Sequence, residues 1–157
     1  MLIQFQEYLT FENIYLWTTL GILPFWLMLI LIPNSKFTQF FINSVILPLI
    51  LSALYVYVIY QSILTEVDIG ELYKLYFSLD NLYTIFSTES FLLIFWLHFI
   101  TLNLFLGSWI SRDAFRNNMS RALAFIPLFF VFFFGPLGLI LYWVIRVFYA
   151  KRLSFHD

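Results

Sequence analysis

Four long stretches of mostly apolar residues carry no charged side chain: 13–35, 37–65, 90–111 and 122–145. Each is long enough to cross a bilayer, because about 20 apolar residues in a helix span the hydrocarbon core. Lipid offers the backbone no hydrogen-bond partners, which favours helices over irregular structure. The pattern therefore predicts an all-α integral membrane protein. We expect one transmembrane domain, residues 1–157, with four transmembrane helices at about 13–33, 41–63, 90–110 and 122–147.

The segments between these spans predict two helical hairpins. Residues 33–36 (PNSK) are a turn signal that suits an antiparallel pair of helices, and residues 112–121 join the last two spans. The connector 64–89 lies between the hairpins. Apolar residues recur in it at helical spacing, opposite polar ones: Ile69, Leu72, Tyr76 and Leu79. This spacing predicts an amphipathic helix on the membrane surface.

The basic residues leave the course of the last span open. If all four stretches cross, each side of the membrane holds four Lys or Arg residues, and the positive-inside rule gives no orientation. The rule is satisfied if the chain turns back at residues 135–138 (GPLG), because the basic tail then lies beside the basic 112–121 loop. Proline and glycine are also tolerated as kinks in membrane helices. Residues 122–145 can therefore either cross the membrane or turn back at residues 135–138.

Composition supports a membrane protein and excludes several functions. Hydrophobic side chains form 62% of the 157 residues, against roughly 45–50% in soluble domains. The formal net charge of -1 provides no field to attract nucleic acid. There is no cysteine, and no GxSxG, HExxH or phosphate-binding loop occurs. We expect membrane lipids as partners, no nucleic acid and no nucleotide cofactor.

The third predicted span contains His98, the histidine that lies within an apolar stretch. An ionisable residue there is by default a candidate for function. A neutral imidazole can bind a ligand hydroxyl, transfer a proton or act as axial ligand of chlorophyll or haem. A hydrogen bond that only joins helices explains it equally well. Because a single histidine lacks a second ligand, no metal site formed by the protein alone is predicted.

Other polar residues of this span also have two explanations. At 100° per residue, Thr101, Ser108 and Arg112 share the face of His98. Asn103 lies on another face and is explained by a packing hydrogen bond or by a ligand contact. Arg112 and Asp113 are expected to form a surface ion pair at the helix end. Two carboxylates at span ends, Glu12 and Glu89, are expected to be solvated.

Several motifs together resemble the abscisic-acid-deficient-four family. They are residues 24–26 (PFW), 96–99 (WLHF), 103–113 (NLFLGSWISRD) and 135–138 (GPLG), followed by Tyr142. That family comprises small four-helix membrane proteins of plastids and bacteria, and its plant members are required to form neoxanthin from violaxanthin. The resemblance implies a protein of a plastid thylakoid or bacterial photosynthetic membrane that takes part in xanthophyll formation or binds carotenoid.

The reaction implied by the resemblance opens an epoxide and removes a proton, so it needs an acid and a base near the polyene end. His98 is the best candidate for either role, and Asp113 is the second. The residues expected to contact a carotenoid or another pigment are His98, Thr101, Asn103, Trp96 and Trp109.

The alternative is a non-enzymatic subunit that binds carotenoid or chlorophyll within a photosystem or antenna complex. The family pattern has an acidic residue at position 103 and a basic one at position 108. This chain has Asn103 and Ser108 there, and loss of the acidic group favours the alternative.

Overall fold

The computed structural model describes residues 9–44, 46–65 and 69–150, and the regular structure in these ranges is helical. The elements in chain order are α1 (Phe11–Leu31), α2 (Lys36–Phe41), α3 (Ile46–Thr65), a 3-10 helix (Ile69–Tyr76), α4 (Leu79–Phe86), α5 (Glu89–Arg116), α6 (Arg121–Phe134) and α7 (Pro136–Ala150). By length and composition α1, α3 and α5 can cross a membrane, whereas α6 and α7 are shorter apolar helices. Three of the four predicted spans therefore coincide with helices of membrane-spanning length.

A short helix follows the turn after α1. Ser35 caps α2, because its hydroxyl oxygen accepts a hydrogen bond from the backbone N–H of Thr38 at 3.0 Å. α3 then begins at Ile46 rather than near residue 41. Pro48 lies in the first turn of α3, where its missing N–H breaks no helical hydrogen bond. The first two predicted spans are thus separated by a turn and a short helix.

The connector forms two short helices instead of the predicted single amphipathic helix. The backbone N–H of Asp80 donates to the Ser78 hydroxyl at 3.2 Å, and this cap starts α4 after the 3-10 helix has ended. Aromatic and aliphatic side chains on both pieces are largely exposed, including Tyr76 (89%) and Leu79 (81%). Residues 66–68 and the side chain of Ile69 lie outside the described part of the chain.

The fourth predicted span is two antiparallel helices. α6 ends at Gly135, whose φ of 37° lies in the left-handed region that glycine adopts readily. Pro136 then occupies the first position of α7, which suits its fixed φ and missing N–H. At the other end of the pair the Tyr149 hydroxyl donates to the Asn118 carbonyl at 3.0 Å. A continuous helix over 122–147 is therefore wrong, and the chain turns back at Gly135.

Gly138 permits the close packing of this α6–α7 hairpin. A Cβ atom at this position would lie 2.3 Å from the backbone nitrogen of Val131 and 2.7 Å from the Pro127 carbonyl oxygen. Both atoms belong to the backbone of α6, so neither can move aside as a side chain could. The two helices can approach this closely at Gly138 because it has no side chain.

The chain divides into two compact units, which share the three long helices. The first unit contains residues 1–21 and 49–99, and the second contains 22–48 and 100–157. Each has a buried apolar core: Ile14, Val58 and Leu97 in the first, and Leu29, Leu104, Val131 and Tyr142 in the second. α5 is the most buried of the long helices, with 44% of its apolar window buried against 28% for α1 and 22% for α3.

Candidate functional site

A cavity of about 660 Å³ lies in the first unit, between the first turns of α1 and α5. We call it the glutamate pocket, after the two carboxylates in its lining. The residues that line it are Phe11, Glu12, Tyr15, Glu89, Leu92, Leu93, Phe95 and Trp96. Glu12 and Glu89 are exposed at its rim. Each lies at the N-terminal end of its helix, where the helix dipole favours negative charge.

Trp96 forms a rigid aromatic wall of this pocket. Its indole N–H donates to the Thr19 hydroxyl at 2.8 Å. The Tyr15 ring lies 5.7 Å away at an angle of 48°, and Phe99 stacks on Trp96 at 5.7 Å. These contacts fix the indole orientation, so a flat apolar ligand would meet a wall already in place. The predicted ligand residue Trp96 therefore lines a cavity.

Sequence reasoning missed Glu12 and Glu89 as site residues. Each by itself looks like an ordinary solvated carboxylate at a helix start. The signal that could have identified them is that both begin an apolar span, and both spans begin on the same predicted side of the membrane. Parallel helices that start on one side can bring their first turns together, as α1 and α5 do.

His98 is exposed, and its ring lies 6.1 Å from the ring of Tyr55. Thr101 and Ser108, which were expected to share its face, are buried. His98 and Asp113 are 15 residues apart on α5, roughly 22 Å at 1.5 Å per residue. The structure therefore does not bring the two predicted acid–base residues together.

Asp113 joins α5 to α7 through a buried ion pair. Its Oδ2 atom accepts hydrogen bonds from Arg146 Nε at 2.7 Å, from the Tyr142 hydroxyl at 2.5 Å and from Asn117 Nδ2 at 3.2 Å. The Arg146 and Asp113 side chains are only 6% and 13% exposed. The expected surface pair of Arg112 with Asp113 is wrong, because Arg112 donates instead to the Asn43 carbonyl at 3.0 Å.

Asn103 lies at the tip of the α6–α7 hairpin, halfway along α5. It is 6% exposed, and its Nδ2 atom has no hydrogen-bond partner among the described residues. A Cβ on Gly135 would lie 2.5 Å from Asn103 Oδ1, so only glycine fits the tip.

Trp109, another predicted ligand residue, packs edge-on against Tyr142 with ring centres 5.6 Å apart.

The motif residues that are far apart in the sequence meet in the second unit. Gly107 packs under Trp26, since a Cβ there would lie 2.6 Å from the indole ring. Gly135 meets Asn103, and Tyr142 binds Asp113. The sequence pattern of ABA DEFICIENT 4-like proteins matches residues 13–142.

The chain belongs to the ABA DEFICIENT 4-like family. This confirms the resemblance suspected from the motifs. No curated protein and no solved structure is significantly similar to the chain. For this ABA DEFICIENT 4-like protein the matched region includes Glu89, Trp96 and the Asp113–Tyr142 hydrogen bond, and it begins just after Glu12. The apolar helices agree with a membrane protein.

Proposed function

We propose that this protein binds a xanthophyll and takes part in its conversion, with the oxygenated end ring held in the glutamate pocket. The observation that carries the proposal is a cavity that combines an apolar aromatic wall with two carboxylates at its rim. A xanthophyll has the matching chemistry, because it is a long apolar polyene with hydroxyl or epoxide oxygens on its end rings. Family membership supports the same substrate class and a photosynthetic membrane, either plastid thylakoid or bacterial.

Two carboxyl groups can supply the acid and the base that the neoxanthin-type reaction needs. It is an isomerisation: one epoxide C–O bond breaks, the oxygen gains a proton, and the adjacent polyene carbon loses a proton to give the allene. In the proposed reaction one carboxyl group acts as the general acid that donates the first proton, and the other acts as the general base that accepts the second. Proton exchange with water at the exposed rim then restores both groups. The proposal assigns these roles to Glu12 and Glu89 instead of to His98 and Asp113.

Glutamine substitution of either carboxyl tests this assignment. Glu12→Gln and Glu89→Gln should each lower violaxanthin conversion by about 100-fold or more, because each removes one proton-transfer group. Pigment binding should persist in both, whereas Trp96→Leu should weaken it. Conversion would be followed by chromatography of pigments incubated with purified protein in lipid nanodiscs. Asp80→Asn removes an exposed carboxylate outside the pocket and is the matched control. Unchanged conversion in both glutamine variants, or no xanthophyll binding by the native chain, would contradict the proposal.

A second candidate function is a pigment-binding subunit of a photosystem or antenna complex, and the exposure of His98 favours it. An imidazole on an accessible helix face can act as axial ligand of a chlorophyll magnesium. His98→Leu distinguishes the two functions. It should leave xanthophyll conversion unchanged under the first proposal, and it should remove bound chlorophyll from the absorption spectrum under the second.

We also propose a membrane topology of three spans and one re-entrant hairpin in place of four spans. The hydroxyls of Ser62 and Ser90 are hydrogen-bonded at 3.0 Å, so the end of α3 lies beside the start of α5. At the opposite end of α5, the α6–α7 hairpin reaches back to Asn103, near the middle of that helix. Helices of 14 and 15 residues are too short to cross the hydrocarbon core.

The basic residues support this topology. With a re-entrant hairpin, five of the six Lys and Arg residues in ranges 9–44, 46–65 and 69–150 fall on one side, namely Lys36, Arg112, Arg116, Arg121 and Arg146. Lys74 alone falls on the other side, with the acidic connector. The two sides of the membrane then no longer hold equal numbers of basic residues. By the positive-inside rule, we expect the side that holds Arg112 to face the stroma or cytoplasm.

Single-cysteine labelling tests the topology directly, because the chain has no cysteine of its own. Exposed phenylalanines mark the connector (Phe77), the end of α5 (Phe115) and the end of α7 (Phe148). In sealed vesicles a membrane-impermeant maleimide should label Phe115→Cys and Phe148→Cys from the same side and Phe77→Cys from the other. If the Phe148 position is labelled together with Phe77, α6 and α7 cross the membrane as one span.

A further inference from the structure

A second cavity, of about 640 Å³, lies in the second unit between the turn after α1, helix α2 and the last turns of α5. We call it the arginine pocket. Its lining residues are Pro33, Asn34, Gln39, Asn43, Trp109, Ser111, Arg112, Asp113, Phe115 and Arg116. No step of the proposed xanthophyll conversion involves the arginine pocket. Its lining differs from that of the glutamate pocket, because two guanidinium groups and three amides surround a smaller apolar wall.

Within the part of the chain that the structure describes, the arginine pocket carries an excess of positive charge. Arg112 and Arg116 are four residues apart and so lie on one face of α5. Neither forms an ion pair within ranges 9–44, 46–65 and 69–150. The carboxylate in the lining, Asp113, is already engaged by Arg146 at 2.7 Å. Among the described residues, two like charges thus lie beside one cavity whose single carboxylate, Asp113, is already paired with Arg146.

One of these guanidinium groups is positioned by the backbone. Arg112 Nη1 donates to the Asn43 carbonyl at 3.0 Å, which anchors the side chain and leaves its other N–H donors available to a ligand. The Ser108 hydroxyl donates to Asn43 Oδ1 at 3.4 Å and helps to hold this residue in place. A fixed guanidinium binds the paired oxygens of a phosphate or sulfonate better than a mobile ammonium does.

We propose that the arginine pocket binds the anionic phosphate or sulfonate headgroup of a membrane lipid. Lipid headgroups lie at the ends of transmembrane helices, and this pocket lies at the end of α5. Trp109 and Phe115 give the pocket an apolar wall beside the charges, as expected where a headgroup continues into acyl chains. A soluble phosphate has the same anion chemistry, but it has no apolar group that could pack against Trp109 and Phe115.

Lipid retention in nanodiscs tests the proposal. The purified full-length chain should retain phosphatidylglycerol over phosphatidylcholine in native mass spectrometry by about tenfold, since charge-assisted hydrogen bonds supply the preference. Arg116→Gln should reduce this preference, and the double variant R112Q/R116Q should abolish it. Arg116 makes no hydrogen bond to the described residues, so its single substitution separates ligand loss from misfolding. Arg121→Gln, outside the pocket lining, is the matched control.

A second experiment tests whether inorganic phosphate competes with phosphatidylglycerol for the arginine pocket. Weak or no competition by millimolar phosphate against phosphatidylglycerol supports a lipid ligand. Thermal stabilisation by phosphate alone, without any preference for phosphatidylglycerol, would overturn the lipid assignment in favour of a soluble anion. Equal lipid preference in native and doubly substituted protein would overturn the site itself.

Discussion

Replacing Gly138 with alanine is expected to destabilise the protein by about 3 kcal/mol, because the added methyl group has no space. Its Cβ would lie 2.3 Å from the Val131 backbone nitrogen and 2.7 Å from the Pro127 carbonyl oxygen. Relief requires α7 to move away from α6, which also disturbs the Tyr142 and Arg146 contacts with Asp113. The loss would be measured as a lower free energy of unfolding in detergent, followed by tryptophan fluorescence.

Gly21 provides the control for this prediction. It also lies in a long apolar helix, but a Cβ there would meet nothing within 4 Å. Gly21→Ala should therefore be neutral or stabilise by up to about 1 kcal/mol, as expected for alanine in a helix interior. Equal stabilities for the two variants would show that α6 and α7 do not pack as closely as the structure shows.

Substituting Asp113 by asparagine should cost about 3–5 kcal/mol, because it leaves the Arg146 guanidinium buried without the charge it pairs with. Asparagine keeps the size of the side chain, so packing changes little. The Arg146 side chain is only 6% exposed, so water has little access to its charge unless α7 moves. Unfolding in detergent again gives the measurement, together with proteolysis of the α6–α7 hairpin.

Tyr142→Phe is the matched milder change. It removes one hydrogen bond to the same carboxylate and keeps the ring that packs on Trp109, so about 1–2 kcal/mol is expected. The double variant D113N/R146Q should recover part of the Asp113→Asn loss, because it also removes the buried charge. If Asp113→Asn costs no more than Tyr142→Phe, the ion pair does not hold α7 in place.

The long apolar stretches were sufficient to predict three helices of membrane-spanning length, since length and hydropathy alone define that class. The course of 122–145 could not be predicted in this way. An apolar stretch of this length is compatible with a single crossing helix and with a helical hairpin. Two glycines favour the hairpin. Gly135 provides the left-handed turn, and Gly138 allows the backbones to approach; both requirements appear only in three dimensions.

The candidate site was only partly predictable for a similar reason. Trp96 was identified from its motif and does line a pocket. Glu12 and Glu89 were not identified, because residues 77 positions apart line the same pocket only when α1 and α5 pack in parallel. His98 was singled out for its apolar surroundings in the sequence. Hydropathy does not distinguish a helix face that meets lipid from one that meets protein, and His98 is exposed.

The α6–α7 hairpin also bears on how the protein is assembled in its membrane. In the proposed topology both ends of the hairpin stay on the side where it is made, so Arg121 and Arg146 never traverse the hydrocarbon core. Between the connector and residue 150, no segment then has to pass through a translocation channel to the far side of the membrane. The hairpin can therefore dock after the three spans of the proposed topology have been inserted.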